Sequence, residues 1–194
     1  MLKGNKGEWS ELYAFCYLLS RKILCAADKT LRPKGEYLPI LKILREETHG
    51  RVLEYRTAKN NESPIEVYEE GRLLKTIEKR DLEKAVKILY EKIPFGERAF
   101  EIPEVEGFLE GIFIHKLKAD SAHKQDIDIQ IHDIHTGISP VCGFSIKSYL
   151  GSRPTLVNAG NGTNFVYVID GVTDQIATKL NSIETRRKII DRIE

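Results

Sequence analysis

The sequence predicts an α/β fold, a β-sheet flanked by helices. Residues Asp126 to Asp133 read Asp-Ile-Asp-Ile-Gln-Ile-His-Asp, a strict polar–apolar alternation that fits a strand with one buried face. Ile65 to Tyr68 and Leu73 to Ile77 flank Glu70-Gly71, the pattern of a β-hairpin. Arg80 to Ile93 carries Leu82, Val86, Leu89 and Ile93 on one helical face and stops at Pro94.

The remaining elements follow in chain order. Gly7 to Ser20 reads as a first helix, because Trp9, Leu12, Tyr13, Cys16, Tyr17 and Leu19 recur at helical spacing, with Glu8 and Glu11 on a more polar side. Residues 21–60 hold short apolar runs, Tyr37 to Leu44 and Val52 to Tyr55, with no clear period. A helix is predicted from Pro103, well suited to a first turn, to Ile114. After the alternating strand comes a turn around Thr136-Gly137 and Ser139-Pro140. Val141 to Ser148 is then a second strand, with Ser145 and Lys147 on one face and Phe144 and Ile146 on the other. Gly151 to Gly162 reads as a polar loop, Asn164 to Ile169 as a third strand, and Val172–Asn181 and Glu184–Ile193 as helices.

At 194 residues the chain is expected to form one domain, with residues 21–100 able to make a small appended helix and hairpin region. Hydrophobic residues at 41% and charged residues at 30% suit a globular protein with a core. No run approaches the roughly 18–20 apolar residues of a membrane span, and the polar N-terminus does not read as a signal peptide. Cys16, Cys25 and Cys142 are odd in number and lack metal-ligand spacing, which predicts reduced thiols in the cytoplasm. The net charge of +1 favours no partner. Its distribution says more: no acid falls between Ile134 and Ile169, a stretch holding Lys147 and Arg153. A surface meeting phosphates excludes carboxylates in this way, though a polar loop region can lack acids by chance.

Hydrolysis of a phosphodiester needs a divalent cation, hard oxygen ligands to hold it, and a positive group near the phosphate. If the strands at 126 and 141 pair as a hairpin, Asp126 at the start of one lies beside Lys147 at the end of the other. The first helix offers a further acid, Glu11 or Glu8. Each residue alone has a plainer explanation: strand aspartates are commonly solvated, strand lysines guard edges, and helix-start glutamates favour the dipole.

The run Gly4-Asn-Lys-Gly-Glu-Trp-Ser-Glu11 resembles the N-terminal helix of HpaII-type restriction endonucleases. So does Gly143-Phe-Ser-Ile-Lys-Ser148, followed by Leu150-Gly-Ser, Pro154-Thr-Leu-Val-Asn158-Ala and Thr163-Asn-Phe165. Val67 to Lys75 and Ile102 to Gly107 fit the same setting, and the resemblance covers nearly the whole chain. It implies a restriction-endonuclease-like mixed β-sheet flanked by helices, with a PD-(D/E)XK core. It also implies a type II enzyme that cuts a short palindrome in double-stranded DNA with Mg²⁺. The family prototype reads CCGG. Carried over by motif, Asp126 is the first metal-binding acid and Lys147 the lysine that positions or deprotonates the attacking water. Ser145 stands where the second acid normally does, a departure that makes Glu11 the candidate replacement, Glu8 the reserve, and the Ile146 carbonyl a further oxygen. A cognate DNA methyltransferase is the implied functional companion. A palindrome is met by a homodimer or by sequential nicking, and the residues leave that choice open. Full family members are longer, so a chain ending at Glu194 is expected to be shortened at its C-terminus.

Contacts to DNA are expected from Arg153, Asn158, Asn161, Thr163 and Asn164, since Arg and Asn read base edges and Ser or Thr hold phosphates. Asn161-Gly162 equally suits a plain turn. Lys6 and Lys124 are expected to touch the backbone. His115, His123, His132 and His135 crowd one region without zinc-ligand spacing and read as solvent-facing side chains. The alternatives are a structure-specific or repair nuclease of the same core, a DNA-binding domain that no longer cuts, and a protein-interaction domain.

Overall fold

Backbone pairing begins where the sequence alternation is strictest. In a computed structural model that describes residues 1–48, 50–58, 60, 62–119, 125–150 and 170–192, Ile127–Ile131 forms strand β8, its three isoleucines buried and Asp128 and Gln130 on the opposite face. The chain divides into two compact units, Met1–Pro154 and Thr155–Glu194.

In the first unit the elements run β1 (Lys3–Gly4), α1 (Lys6–Arg21), β2 (Ile23–Ala27), β3 (Pro33–Thr48), β4 (Arg51–Thr57), β5 (Ile65–Glu69), β6 (Arg72–Ile77), α2 (Lys79–Lys92), a 3-10 turn (Ile93–Phe95), β7 (Phe100–Glu101), α3 (Pro103–Gly111), β8 and β9 (Val141–Phe144). Seven strands make one sheet in the order β6-β5-β4-β3-β8-β9, with β2 also on β3, while β1 and β7 pair separately. Every described ladder is antiparallel. The α/β architecture expected from the sequence is the one observed.

The predicted helices and hairpin form close to their expected limits. Asn5 caps α1 by accepting from the Gly7 and Glu8 amides, and the Glu8 carboxylate reaches back to the Asn5 amide, a reciprocal capping box. Glu70 (φ 47°) and Gly71 (φ 82°) make the paired left-handed turn that matches strand twist between β5 and β6. The predicted helix from Pro103 ends at Gly111, three residues early.

Residues 21–60 differ most from the expectation. They hold the longest strand, β3, which pairs with β2 through its first half and with β4 and β8 through its second. The aperiodicity has a physical cause. Inward positions 45 and 47 carry Arg45 and Glu47, both buried and paired with each other, and bulges interrupt the register on both flanking ladders.

The core lies between this sheet and the helices. Trp9, Leu12, Phe15 and Leu19 of α1, Leu82 and Leu89 of α2, and Val105 and Leu109 of α3 pack with Ile43, Leu53, Tyr55, Val67 and Ile129. Burial of such side chains contributes roughly 1.5–3 kcal/mol each. The Tyr55 ring meets Phe15 edge-on at 4.9 Å, and its hydroxyl donates to the Ile112 carbonyl at 2.8 Å.

In the second unit α4 (Asp174–Asn181) is capped by Thr173, and α5 is the short helix Lys188–Asp191 rather than the longer one predicted from Glu184. The predicted strand Asn164–Ile169 lies outside the described residues.

Candidate active site

The strand β9 is shorter than the alternation implies: its ladder with β8 ends at Phe144, so Ser145, Ile146, Lys147 and Ser148 lie beyond it. Asp126 is the reason. Its amide donates to the Phe144 carbonyl at 3.0 Å, and its carboxylate Oδ2 accepts the Ile146 amide at 2.7 Å. A side-chain oxygen thus replaces the next backbone acceptor, and β9 departs from the sheet at that point. A bond of this kind to a charged acceptor is worth about 1.5–3 kcal/mol. Gly143 answers a second local demand, because the Gln125 side chain crosses it to reach Asp128 at 3.0 Å, and a Cβ there would sit 2.7 Å from Gln125.

Helix α1 brings the other carboxylate. Glu11 and Asp126 line one small pocket together with Phe15, Leu44, Arg45, Leu117, Ala119 and Ile127. Partial burial pushes the Glu11 carboxyl above its ordinary value, the Asp126 carboxylate pushes it further, and Glu8 adds to the rise. Lys118 and Arg45 act in the opposite direction. Two acids therefore share a site in which one resists ionisation, as expected where negative groups converge.

Lys147 is bracketed by anchored neighbours. On one side the Ile146 amide is held by Asp126, and on the other the Ser148 hydroxyl lies 2.9 Å from that of Ser10, the residue beside Glu11 on α1. The Lys147 and Ser145 side chains are exposed, and Ile146 packs partly against the core.

A sequence profile of the HpaII restriction endonuclease family matches residues 5–194. The chain belongs to that family. Over 191 residues this family member is 40% identical to the type II restriction enzyme HpaII of Haemophilus parainfluenzae, an alignment covering 98% of the chain and 53% of that protein. The chain thus spans about half the length of the curated relative it matches. No solved structure gives a significant match.

In this family member the other sequence-derived candidates fall variously. The Lys6 ammonium donates to the Pro94 carbonyl at 2.8 Å, and Glu8 is engaged in the α1 cap. Lys124, Arg153, Asn158, Asn161, Thr163 and Asn164, like His123, lie outside the described residues. The His115 amide donates to Glu47, and His132 Nδ1 is 3.0 Å from the Ser139 hydroxyl. Among the described residues no three His, Cys, Asp or Glu side chains converge as a metal-binding group. Also among them, no helix is long and apolar enough to cross a membrane.

Sequence reasoning missed three contributors, Arg45, Glu47 and Ser10. Arg45 and Glu47 lie in the polar stretch Arg45-Glu46-Glu47-Thr48 that follows the apolar run, where nothing marks them as buried. Ser10 could have been noticed, since it sits one residue before Glu11 in the family motif.

Proposed function

We propose that this chain is a nuclease domain of a type II restriction endonuclease, hydrolysing phosphodiesters in double-stranded DNA with Mg²⁺. The observation that carries the reading is the meeting in one pocket of Glu11 from α1 and Asp126, the residue before β8, whose carboxylate holds the Ile146 amide. The residues fit a hard cation: Mg²⁺ is usually held by one or two carboxylates with waters and phosphate oxygens, and the pair here has negative charge to spare. Asp126, Glu11 and the Ile146 carbonyl would hold it. When bound, such an ion supplies an acidified water and charge neutralisation at the phosphate.

The protein's own groups do the positioning. Asp126 fixes the Ile146 amide, which sets the path of the segment that presents Lys147. The Lys147 ammonium orients the attacking water and offsets charge on the phosphate. Ser145, exposed at the position of the usual second acid, leaves that role to Glu11. Arg153, Asn158, Asn161, Thr163 and Asn164 are assigned to base and backbone contacts on sequence grounds, with Lys124 and Lys6 as further phosphate contacts. A cytoplasmic location, a cognate methyltransferase and two-fold pairing on a palindrome belong to the same reading, and CCGG is the first target to test.

The test is incubation of plasmid DNA with the protein and Mg²⁺, followed by sequencing of the ends. Discrete ends at one short palindrome are expected. Asp126→Ala and Lys147→Ala should each lower the rate by roughly 10²–10³-fold. Parent-like rates in both variants would overturn the site assignment. Random nicking would favour a repair nuclease, and binding in Ca²⁺ without cleavage in Mg²⁺ a domain that no longer cuts.

A further inference from the structure

The end of α1, the start of β2, the middle of β3, the end of β4 and the residue after β8 line a cavity of about 640 Å³. Small-molecule sites usually occupy about 300–1,000 Å³, with apolar walls and a few placed polar groups. Asp126 precedes β8, and His132, which lines the cavity, follows it. The cavity and the Glu11–Asp126 pocket therefore lie toward opposite ends of that strand, roughly 20 Å apart at about 3.3 Å per residue. The walls divide by chemistry. Pro39 and Ile40 give apolar surface, and Tyr37, 49% exposed, gives a flat ring. Arg21, Lys22 and His132 give nitrogen donors, and no Asp or Glu is among the lining residues. In a chain with 29 acids and 30 bases, that local balance favours an anion.

The three donors are held differently. Lys22 closes α1 with φ 56°, a left-handed position usually taken by glycine, and its amide donates to the Leu18 carbonyl at 2.8 Å. Its side chain is buried, and the ammonium donates to the Asn60 and Ser63 carbonyls at 2.8 and 2.6 Å, which leaves one of its three N–H groups. His132 Nδ1 lies 3.0 Å from the Ser139 hydroxyl, and Nε2 has no hydrogen-bond partner among the described residues. Arg21 is exposed and makes no ion pair among the described residues. We propose that this cavity is a second binding site, for a nucleoside monophosphate, with the base against Tyr37 and Pro39 and the phosphate on Arg21 and His132. Each half of that ligand answers one half of the walls. Bases stack on aromatic rings, and a phosphate takes charge-assisted hydrogen bonds. An uncharged ligand would leave the cations unmatched, and inorganic phosphate would leave the apolar wall unfilled. The nucleotide comes either free in solution or as an unpaired nucleotide in DNA, and both present the same chemistry. The site is separate from the Glu11–Asp126 pocket and holds whether or not that pocket cuts DNA.

The test is calorimetric titration of the metal-free protein with deoxyadenosine monophosphate, deoxyadenosine and inorganic phosphate. Arg21→Gln should weaken the monophosphate about ten-fold and leave deoxyadenosine unchanged, as loss of one charge-assisted contact requires. Tyr37→Ala should weaken the monophosphate and deoxyadenosine alike, by about ten-fold, and Tyr37→Phe should match the parent. Both residues are exposed, so neither change empties the core. Glu11→Gln combined with Asp126→Asn should leave all three ligands unaffected. Competition then separates the sources. A duplex with one unpaired adenine that displaces the monophosphate, where a fully paired duplex of equal length does not, assigns the site to a nucleotide of DNA. Displacement by neither assigns it to a free nucleotide. Equal displacement by both would make the cations a duplex-backbone contact and overturn the proposal. No binding at millimolar monophosphate, or parent-like affinity in Arg21→Gln and Tyr37→Ala, would also overturn it.

Discussion

The β5–β6 hairpin and the β8–β9 hairpin start from similar sequence patterns and end differently. In β5–β6 the ladder runs to the turn itself, closed by Glu70 and Gly71 with positive φ at both positions. In β8–β9 the ladder stops at Phe144, where the Asp126 carboxylate takes the Ile146 amide in place of a backbone carbonyl. Local rules of turn and alternation locate the first, whose ladder carries one register shift between Val67 and Tyr68. A long-range side-chain contact determines the second, and it occurs where chemistry is proposed. Regular pairing gives way at the segment that holds Ile146 and Lys147, two of the groups proposed for the site.

The contrast can be broken at its strongest point first. Loss of cleavage in Asp126→Ala should be accompanied by faster hydrogen exchange at the Ile146 amide, whereas the β5–β6 amides keep their protection. Unchanged exchange at 146 would show that the carboxylate does not hold that segment. Gly71→Ala addresses the other hairpin. Its φ of 82° is strained for any L side chain although space is open, so about 1 kcal/mol of stability should be lost with cleavage unaffected. Denaturant midpoints and plasmid assays on the same preparation check both parts.

A smaller effect sharpens the electrostatic side. Burial and then Asp126 raise the Glu11 carboxyl above its ordinary value, so the folded chain holds that proton to higher pH than the unfolded chain does. The folded state then binds more protons across that window, and stability falls as pH rises through it. At neutral pH an ionised Glu11 is a net cost in the metal-free protein. Glu11→Gln should therefore be slightly more stable than the parent at neutral pH, with the advantage vanishing at pH values below both the unfolded and raised carboxyl values. Metal-free thermal melts across pH measure this, and a Gln variant less stable at neutral pH would contradict it.

What the sequence disclosed follows the same division. The α1 and α2 faces, the β5–β6 turn and the β8 alternation are each set within a dozen residues, and propensity and period report them. Spacing and the family's motifs single out Asp126, Lys147 and Glu11 as candidates, and of these Asp126 and Glu11 line one pocket. β3 escaped notice because a buried Arg45–Glu47 pair occupies its inward positions, so a period-2 apolar pattern never forms. The early end of β9 escaped because alternation continues through Ser148 while the hydrogen bonds do not. Neither the bonding of Arg45 to the Lys116 and Leu117 carbonyls nor the closeness of Ser10 to Ser148 leaves any mark in local sequence, since each joins residues far apart in the chain.

The claim at the centre of this account is that Glu11 and Asp126 hold one divalent cation between them. Titration of Mn²⁺ into the metal-free protein, followed by electron paramagnetic resonance, tests it directly in the parent, Glu11→Gln, Asp126→Asn and the double variant. A shared ion predicts that each single change weakens binding at least about ten-fold and that the double change is far less than additive. Parent-like affinity in both single variants would contradict it.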